Sequence, residues 1–301
     1  MLTFFTTPKP FRGHIATIQR NAIQSWIRVH PEVEVILFGD DEGADAVARE
    51  LEIRHEPYVR RNQHGTKYLS PIYDRAQEIA RSELVCYVNC DIVLTADFRD
   101  AVERLCEWRR KCLMIGRRWD LNVTEQIDFS ERDWGRRLRT LALREGRQRP
   151  PGWVDYFVFS RGAYYKKIPP FVIGRPAWDS WLVWHARATK MCVVDASEVV
   201  VAVHQNHDYS YHPDGEAGVW FGEEARQNRE LLGGWAHIGT VEDATHRLTR
   251  LGMSRSYRHW GAMARRAAVA GVRAFLERTR SVRHAVGLKR ERIASFLPRR
   301  R

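Results

Sequence analysis

The chain has 301 residues, of which 44% are apolar, enough for one large domain, or a domain with an appendage, around a sizeable core. No apolar stretch is long enough to span a bilayer, and five cysteines at irregular spacing without a CxxC pair exclude a zinc knuckle and a disulfide framework. The net charge of +12 is unevenly divided: from Arg247 onward sixteen Arg and Lys stand against Glu277 and Glu291, a net +14, which leaves the first 246 residues at −2.

The opening, MLTFFTTPKPFRGH, lacks the charged front and long apolar middle of a signal peptide, so the cytoplasm is the expected compartment. Leu2–Thr6 reads as a short buried strand ended by Pro8 and Pro10. From Gly13 to Val29, Ile15, Ile18, Ala22 and Trp26 recur at helical spacing. Glu34–Phe38 is a second strand, closing on Gly39-Asp40-Asp41. Ala44–Leu51 reads as a short helix and Ile53–Pro57 as a third strand. After a polar loop, Asn62–Lys67, the pair Ser70-Pro71 predicts a helix start, with Ser at the N-cap and Pro at the first helical position. Ile72, Ala76 and Ile79 form its buried face. Leu84–Val88 is a strand, Phe98 to Trp108 a helix, and Leu113–Gly116 a strand. This alternation predicts an α/β fold with a mostly parallel central sheet.

The second half is less regular. Trp153–Ser160 reads as a strand interrupted by Asp155, Ala177–Ala188 as a helix, and Met191–Ala196 and Val199–His204 as strands. Glu223–Leu232 reads as a helix. Beyond Leu248 the composition shifts to Arg, Ala and scattered bulky residues, with Tyr257, Trp260, Met263, Ala267 and Phe275 along one side of a helical projection. The expected division is a domain over 1–247 and a basic tail over 248–301.

Ligands of parallel α/β sheets bind beyond the carboxyl ends of the strands, where Asp40, Asp41 and Asp91 fall. In YVNCDIVL, residues 87–94, Asp91 breaks an apolar run. A buried carboxylate needs a partner, and a divalent cation bridging to phosphates is one. Asn89 suits a ribose or backbone hydrogen bond. His204 and His207, with Asp208, follow an apolar strand and suit an ion such as Mn²⁺. Asp155 and Asp179 stand among aromatic residues, where burial raises a carboxyl pKa toward that of a general base. Lys67 and Arg12 are cations placed to neutralise a diphosphate.

These pieces in this order resemble a GT-A glycosyltransferase of the family 2 type. VILFGDD resembles the strand whose terminal acid contacts the nucleotide base. YVNCDIVL resembles the strand of the DxD motif, with Asn89 in place of the first acid and Asp91 in place of the metal-contacting last one. GRPAWDSWLVW and then DASEVVVAVHQNHDYSYH resemble the segment of the catalytic base and the histidine that completes the metal site. The resemblance covers about residues 1–235. It implies transfer of a sugar from a nucleotide-sugar donor to a saccharide or lipid-linked acceptor, as in polysaccharide biosynthesis. Mn²⁺ or Mg²⁺ would assist at Asp91 with His207 or His204, and His207 is the favoured ligand. Asp179 would be the base of an inverting reaction, with Asp155 beside it. Thr6, Thr7, Arg12, Asp40, Asp41, Lys67, Asn89 and Asp91 would contact the donor.

Two rival readings follow from the same residues. A sugar-phosphate nucleotidyltransferase needs a Gly-rich loop with Arg and Lys after the first strand, which TTPKPFRGH lacks. A donor-binding protein without catalysis fits the replacement at Asn89. The basic tail, with its interspersed Trp260, Met263 and Phe275, suits an anionic membrane surface at the inner face. The near-neutral body argues against a nucleic-acid enzyme.

Overall fold

The computed structural model describes residues 2–108, 110–209 and 213–269. Thirteen strands among them form two sheets. The main sheet contains β1 (Leu2–Thr6), β2 (Glu34–Phe38), β3 (Arg54–Glu56), β4 (Leu84–Val88), β6 (Cys112–Ile115), β9 (Tyr156–Ser160), β10 (Cys192–Asp195), β12 (His246–Thr249) and β13 (Gly252–Arg255). Their spatial order is β13-β12-β10-β6-β9-β4-β1-β2-β3. Five neighbouring pairs are parallel; β9 runs antiparallel to both β4 and β6, and β13 antiparallel to β12. The expected α/β class with a mostly parallel central sheet flanked by helices is therefore what the chain adopts.

Central strands read as continuous apolar runs because both faces are covered. In β1, Phe4 packs with Trp26 of α1 (Gly13–Ile27) and with Phe98 of α4 (Ala96–Trp108). Its neighbour Phe5 points the other way, against Tyr73 of α3 (Leu69–Ile79), Tyr87 and Phe159. Both phenylalanines are fully buried, one in each of two apolar layers, as the two-residue period of a strand dictates. The helix α2 (Ala44–Glu50) lies between β2 and β3, and α6 (Trp178–Ala188) packs on β10 and β6.

The second sheet has the order β5-β11-β7-β8, with β5 (Ile92–Val93), β7 (Arg118–Leu121), β8 (Arg147–Gln148) and β11 (Ala202–Gln205). α5 (Trp134–Glu145) packs on it through Leu138 and Ala142. Two further helices, α7 (Gly215–Phe221) and α8 (Glu223–Leu232), follow β11.

Several boundaries differ from the sequence reading. Ser70 does not cap α3: the helix begins at Leu69 after Tyr68, without a side-chain cap. The Leu69 N–H donates to the Phe171 carbonyl at 2.8 Å, so a tertiary partner satisfies the helix end, and Pro71 sits at the third helical position. The strand expected from Trp153 starts only at Tyr156, and Asp155 lies in the irregular approach to it. The division at 248 falls inside β12, whose hairpin with β13 carries the main sheet to Arg255. Residues 258–269 are helical. Arg265 and Arg266 pair there with Glu242 and Asp243, while Tyr257, Trp260 and Met263 are 68%, 65% and 50% exposed. Phe275, the last residue of the expected tail face, lies outside the described residues. Among the described residues, no helix is long and apolar enough to cross a membrane.

Candidate active site

One pocket of about 1170 Å³ opens beyond the carboxyl ends of β1, β2 and β4. Its walls bring together Lys9, Asp91, His204, His207, Asp155 and Asp179 from five separate parts of the chain.

The small sheet builds the imidazole–carboxylate cluster. Asp91 directly precedes β5, and β5 pairs with β11 so that Ile92 faces His204. The Gln205 N–H donates to the Asp91 carbonyl at 3.1 Å and holds this end of the pairing. His204 Nε2 lies 3.8 Å, and His207 Nε2 3.2 Å, from Asp91 Oδ2. Behind His204, the parallel pairing of β11 with β7 places Asp120, whose Oδ1 is 3.4 Å from His204 Nδ1. Behind His207, Nδ1 donates to the Asp208 carbonyl at 2.7 Å. Both rings turn Nε2 toward Asp91; His207 has an acceptor behind Nδ1, the arrangement that fixes tautomer and aim in metal-ligating histidines, while His204 Nδ1 faces Asp120 without a hydrogen bond.

Three observations test whether these residues fit a divalent cation. One ligand atom each from Asp91, His204 and His207 lies within 4.8 Å of the other two, a small contraction away from a shell with bonds of about 2.1 Å. Asp91 Oδ1 is buried and has no hydrogen-bond partner, the orphan that an ion relieves. One carboxylate with two imidazoles suits a borderline ion such as Mn²⁺. The residues fit. Burial alone raises the Asp91 carboxyl, but His204, His207 and Lys9 outweigh it and hold the group far below the usual carboxylate range.

A second network adjoins the first. Asn89 donates through Nδ2 to Asp155 Oδ1 at 2.6 Å. Arg118 donates to Asp155 Oδ2 at 3.1 Å and to Asp120 Oδ1 at 2.8 Å. Arg118 and Arg149 both stack on the Trp153 ring, which packs against Trp220. Both carboxylate oxygens of Asp155 are engaged, one by the Asn89 amide and the other in an ion pair with Arg118.

Asp179 is different. It lies in the first turn of α6, next to Ala177, whose φ of +94° is in a region that favours glycine. Such local strain costs about 1–3 kcal/mol and collects at functional sites. Burial, with a smaller push from Asp155, raises the Asp179 carboxyl to about 6, against the backbone N–H groups of its own helix start. No arginine or lysine is paired with it among the ion pairs of the described residues.

The remaining residues expected to contact a donor divide. Thr7 and Asp41 line the pocket. Lys67 also lines it, but its ammonium pairs with Asp41 and donates to Thr7 Oγ1 and the Pro8 carbonyl, both at 2.7 Å. Those partners tie it into the pocket wall. Thr6 is fully buried and pins β1 to β4 through the Val88 carbonyl; it does not reach the pocket. Asp40 is exposed and takes Arg61 at 2.5 Å. Arg12 is exposed, pairs with Glu42 and does not line the pocket, whereas Lys9, three residues earlier, does. Sequence reasoning missed Lys9, Arg118 and Asp120. Only the position of Lys9 between two prolines marked any of them.

No family model matches the chain, and no curated protein matches it. Among solved structures, the chain is similar to glucosyl-3-phosphoglycerate synthase from Mycobacterium tuberculosis, in complex with Mn²⁺, uridine diphosphate and phosphoglyceric acid. The identity is 16%, 77% of each chain is covered, and the TM-score is 0.46. It is similar to S. aureus TarS, residues 1–349, at 13% identity over 68% of this chain and 58% of that one, with a TM-score of 0.40. It is also similar to the mannosyltransferase PcManGT from Pyrobaculum calidifontis, in complex with GDP-Man and Mn²⁺. There the identity is 15%, over 67% of this chain and 56% of that one, with a TM-score of 0.41.

Proposed function

We propose that this chain is an inverting glycosyltransferase that uses a nucleotide-sugar donor, a divalent cation and a saccharide or lipid-linked acceptor. The observation that carries the reading is that one pocket holds two kinds of group. One is an Asp91–His204–His207 cluster aimed at a cation. The other is an unpaired, elevated carboxyl at Asp179.

The cation, when bound, supplies Lewis-acid stabilisation of a diphosphate leaving group. Asp91, His204 and His207 would hold it. Asp179 accepts the proton of the acceptor hydroxyl. The acceptor oxygen forms its bond to the anomeric carbon as the bond from that carbon to the diphosphate oxygen breaks, and the electron pair leaves on the diphosphate. A carboxyl near 6 is largely ionised at neutral pH and still basic enough for this proton transfer. Arg118, braced by Asp155 and Asp120, supplies fixed positive charge to the same wall. Asp179→Asn is expected to abolish transfer and leave nucleoside diphosphate binding intact; near-normal turnover would remove Asp179 from this role. The second reading, donor binding without catalysis, draws on the amide at Asn89. It would be upheld if the wild-type chain bound nucleoside diphosphates with Mn²⁺ but neither transferred nor hydrolysed any donor.

We infer also that the basic C-terminal segment brings the domain to an anionic membrane surface. Support comes from the exposed Tyr257, Trp260 and Met263 beside the +14 charge of the segment. Flotation with anionic vesicles tests it.

A further inference from the structure

The turn that delivers Asp179 to the pocket is held from behind by one face of α8. Residues 171–173 run beside the start of α3. The Leu69 N–H donates to the Phe171 carbonyl at 2.8 Å, and the Ile173 N–H to the Lys67 carbonyl at 2.9 Å. The chain then turns at Gly174, with a φ of +75°, and reaches α6 through Arg175, Pro176 and Ala177. Glu224 and Asn228 stand on one face of α8, and both are buried. Glu224 takes Arg175 at 2.6 Å.

Asn228 holds the main chain itself. Its Oδ1 accepts from the Val172 N–H at 3.0 Å, while Nδ2 donates to the Val172 carbonyl at 2.9 Å and to the Pro176 carbonyl at 3.2 Å. Both amide protons and an acceptor oxygen are thus spent on the turn, a set that neither an acid nor a hydroxyl supplies. The Pro176 carbonyl belongs to the peptide group that enters Ala177. On the other side, the Ala177 carbonyl accepts from the Trp181 N–H at 3.0 Å, the first bond of α6. Ala177 is fixed from both sides, which is how a residue with a side chain keeps a φ of +94°. Released on one side, it would return to negative φ and re-aim the first turn of α6, which carries Asp179.

We propose that Asn228 is a positioning residue for the transfer reaction: through the Pro176 carbonyl it keeps the turn at Ala177 in its strained form, and so keeps Asp179 directed into the pocket. The proposal rests on the reading of Asp179 as the base. Asn228 does not line the pocket, so its effect passes through the turn.

The test compares full chains of the wild type, Asn228→Ala, Ala177→Gly and the double variant. Turnover is read as release of nucleoside diphosphate from UDP-glucose, UDP-GlcNAc and GDP-mannose with Mn²⁺, with water as acceptor. Asn228→Ala should lower kcat about a hundredfold, the scale of a misplacement of about 1 Å, and leave the donor KM near the wild-type value. Adding Ala177→Gly should recover about tenfold, because glycine takes positive φ without the penalty that Asn228 holds in place. A variant that is only less stable gains nothing from this added chain freedom. Where Asn228→Ala does not fold, Asn228→Ser, which keeps one donor, serves with the same expected direction. Hydrogen exchange over residues 172–181 follows the turn without substrate and should quicken in Asn228→Ala, while residues 202–207 keep their rate. Unchanged exchange, a wild-type kcat in Asn228→Ala, or no recovery in the double variant would each overturn the proposal. Full turnover by Asp179→Asn would remove the base reading and the proposal with it. Loss of turnover there, beside a fully active Asn228→Ala, would remove the proposal alone. A wild-type chain that turns over none of the three donors would remove the transferase reading on which both stand.

Discussion

Asn89 stands against a buried acid, and that neighbour accounts for an amide at this position. Its amide donates to Asp155 Oδ1 at 2.6 Å, and Asp155 is 7% exposed. Asn89→Asp would set two carboxylates against each other. At a relaxed separation of about 3 Å and an effective dielectric near 20, the repulsion is about 5 kcal/mol. Arg118, 3.1 Å from the other Asp155 oxygen, offsets part of this, and about 2–4 kcal/mol of destabilisation at pH 7 is expected to remain. The sign with pH follows from linkage. A crowded pair shares a proton, so its folded pKa is raised, and the penalty is absent below the unfolded value near 4 and grows as pH rises through the folded one. Urea unfolding at pH 5 and pH 8 measures it, with the variant losing more at pH 8. Asn89→Asp combined with Asp155→Asn restores one acid and one amide, and should recover most of the loss in a double-mutant cycle. A single variant as stable as wild type at both pH values would refute this account of the asparagine.

Other outcomes follow from the same geometry. Asp120→Asn removes the acid behind His204 and should weaken Mn²⁺ affinity by about 10- to 100-fold; titration showing an unchanged affinity would detach Asp120 from the cluster. Transfer by the wild-type chain should rise with pH through an apparent pKa near 6, where Asp179 ionises; a limb that persists in Asp179→Asn would belong to another group. Replacing Tyr257, Trp260 and Met263 together by serine in the full chain should reduce flotation with anionic vesicles. Equal flotation of the variant would mean that charge alone, or no membrane contact, governs the segment.

Local chemistry made much of the fold legible. β1, β2 and β4 are continuous apolar runs, and α1 and α6 carry apolar residues at helical spacing. The segment from Arg118 to Gln148 was silent because β7 and β8 are short and carry charges that only their tertiary partners explain. At α3 the rule that puts Pro at the first helical position misplaced the start, since Phe171 satisfies the first N–H instead of a side chain. In the site, Asp91 and Asp179 stood out as acids among apolar neighbours, and His204 and His207 as a histidine pair with an acid after an apolar strand. Lys67, before a helix, and Arg12, after the first strand, looked equivalent as candidate diphosphate cations. Asp41 and Glu42 decided their fates, and neither pairing has a signal in local sequence.

The small sheet explains how Asp91 and His204 come together. β11 lies between β5 and β7, antiparallel to one and parallel to the other. That position sets His204 opposite Ile92, one residue from Asp91, and in register with Asp120. A slip of one residue in β11 would turn His204 to the opposite face and bring Val203 or Gln205 into its place. Gln205 opposes the slip: it is fully buried, donates through its amide to the Ile18 and Asp91 carbonyls, and accepts from Asn21. A glutamine that contributes no ligand therefore fixes the register on which both the histidine and its supporting acid depend. Two imidazoles thus converge on one carboxylate, Asp91, whose Oδ1 has no hydrogen-bond partner among the described residues.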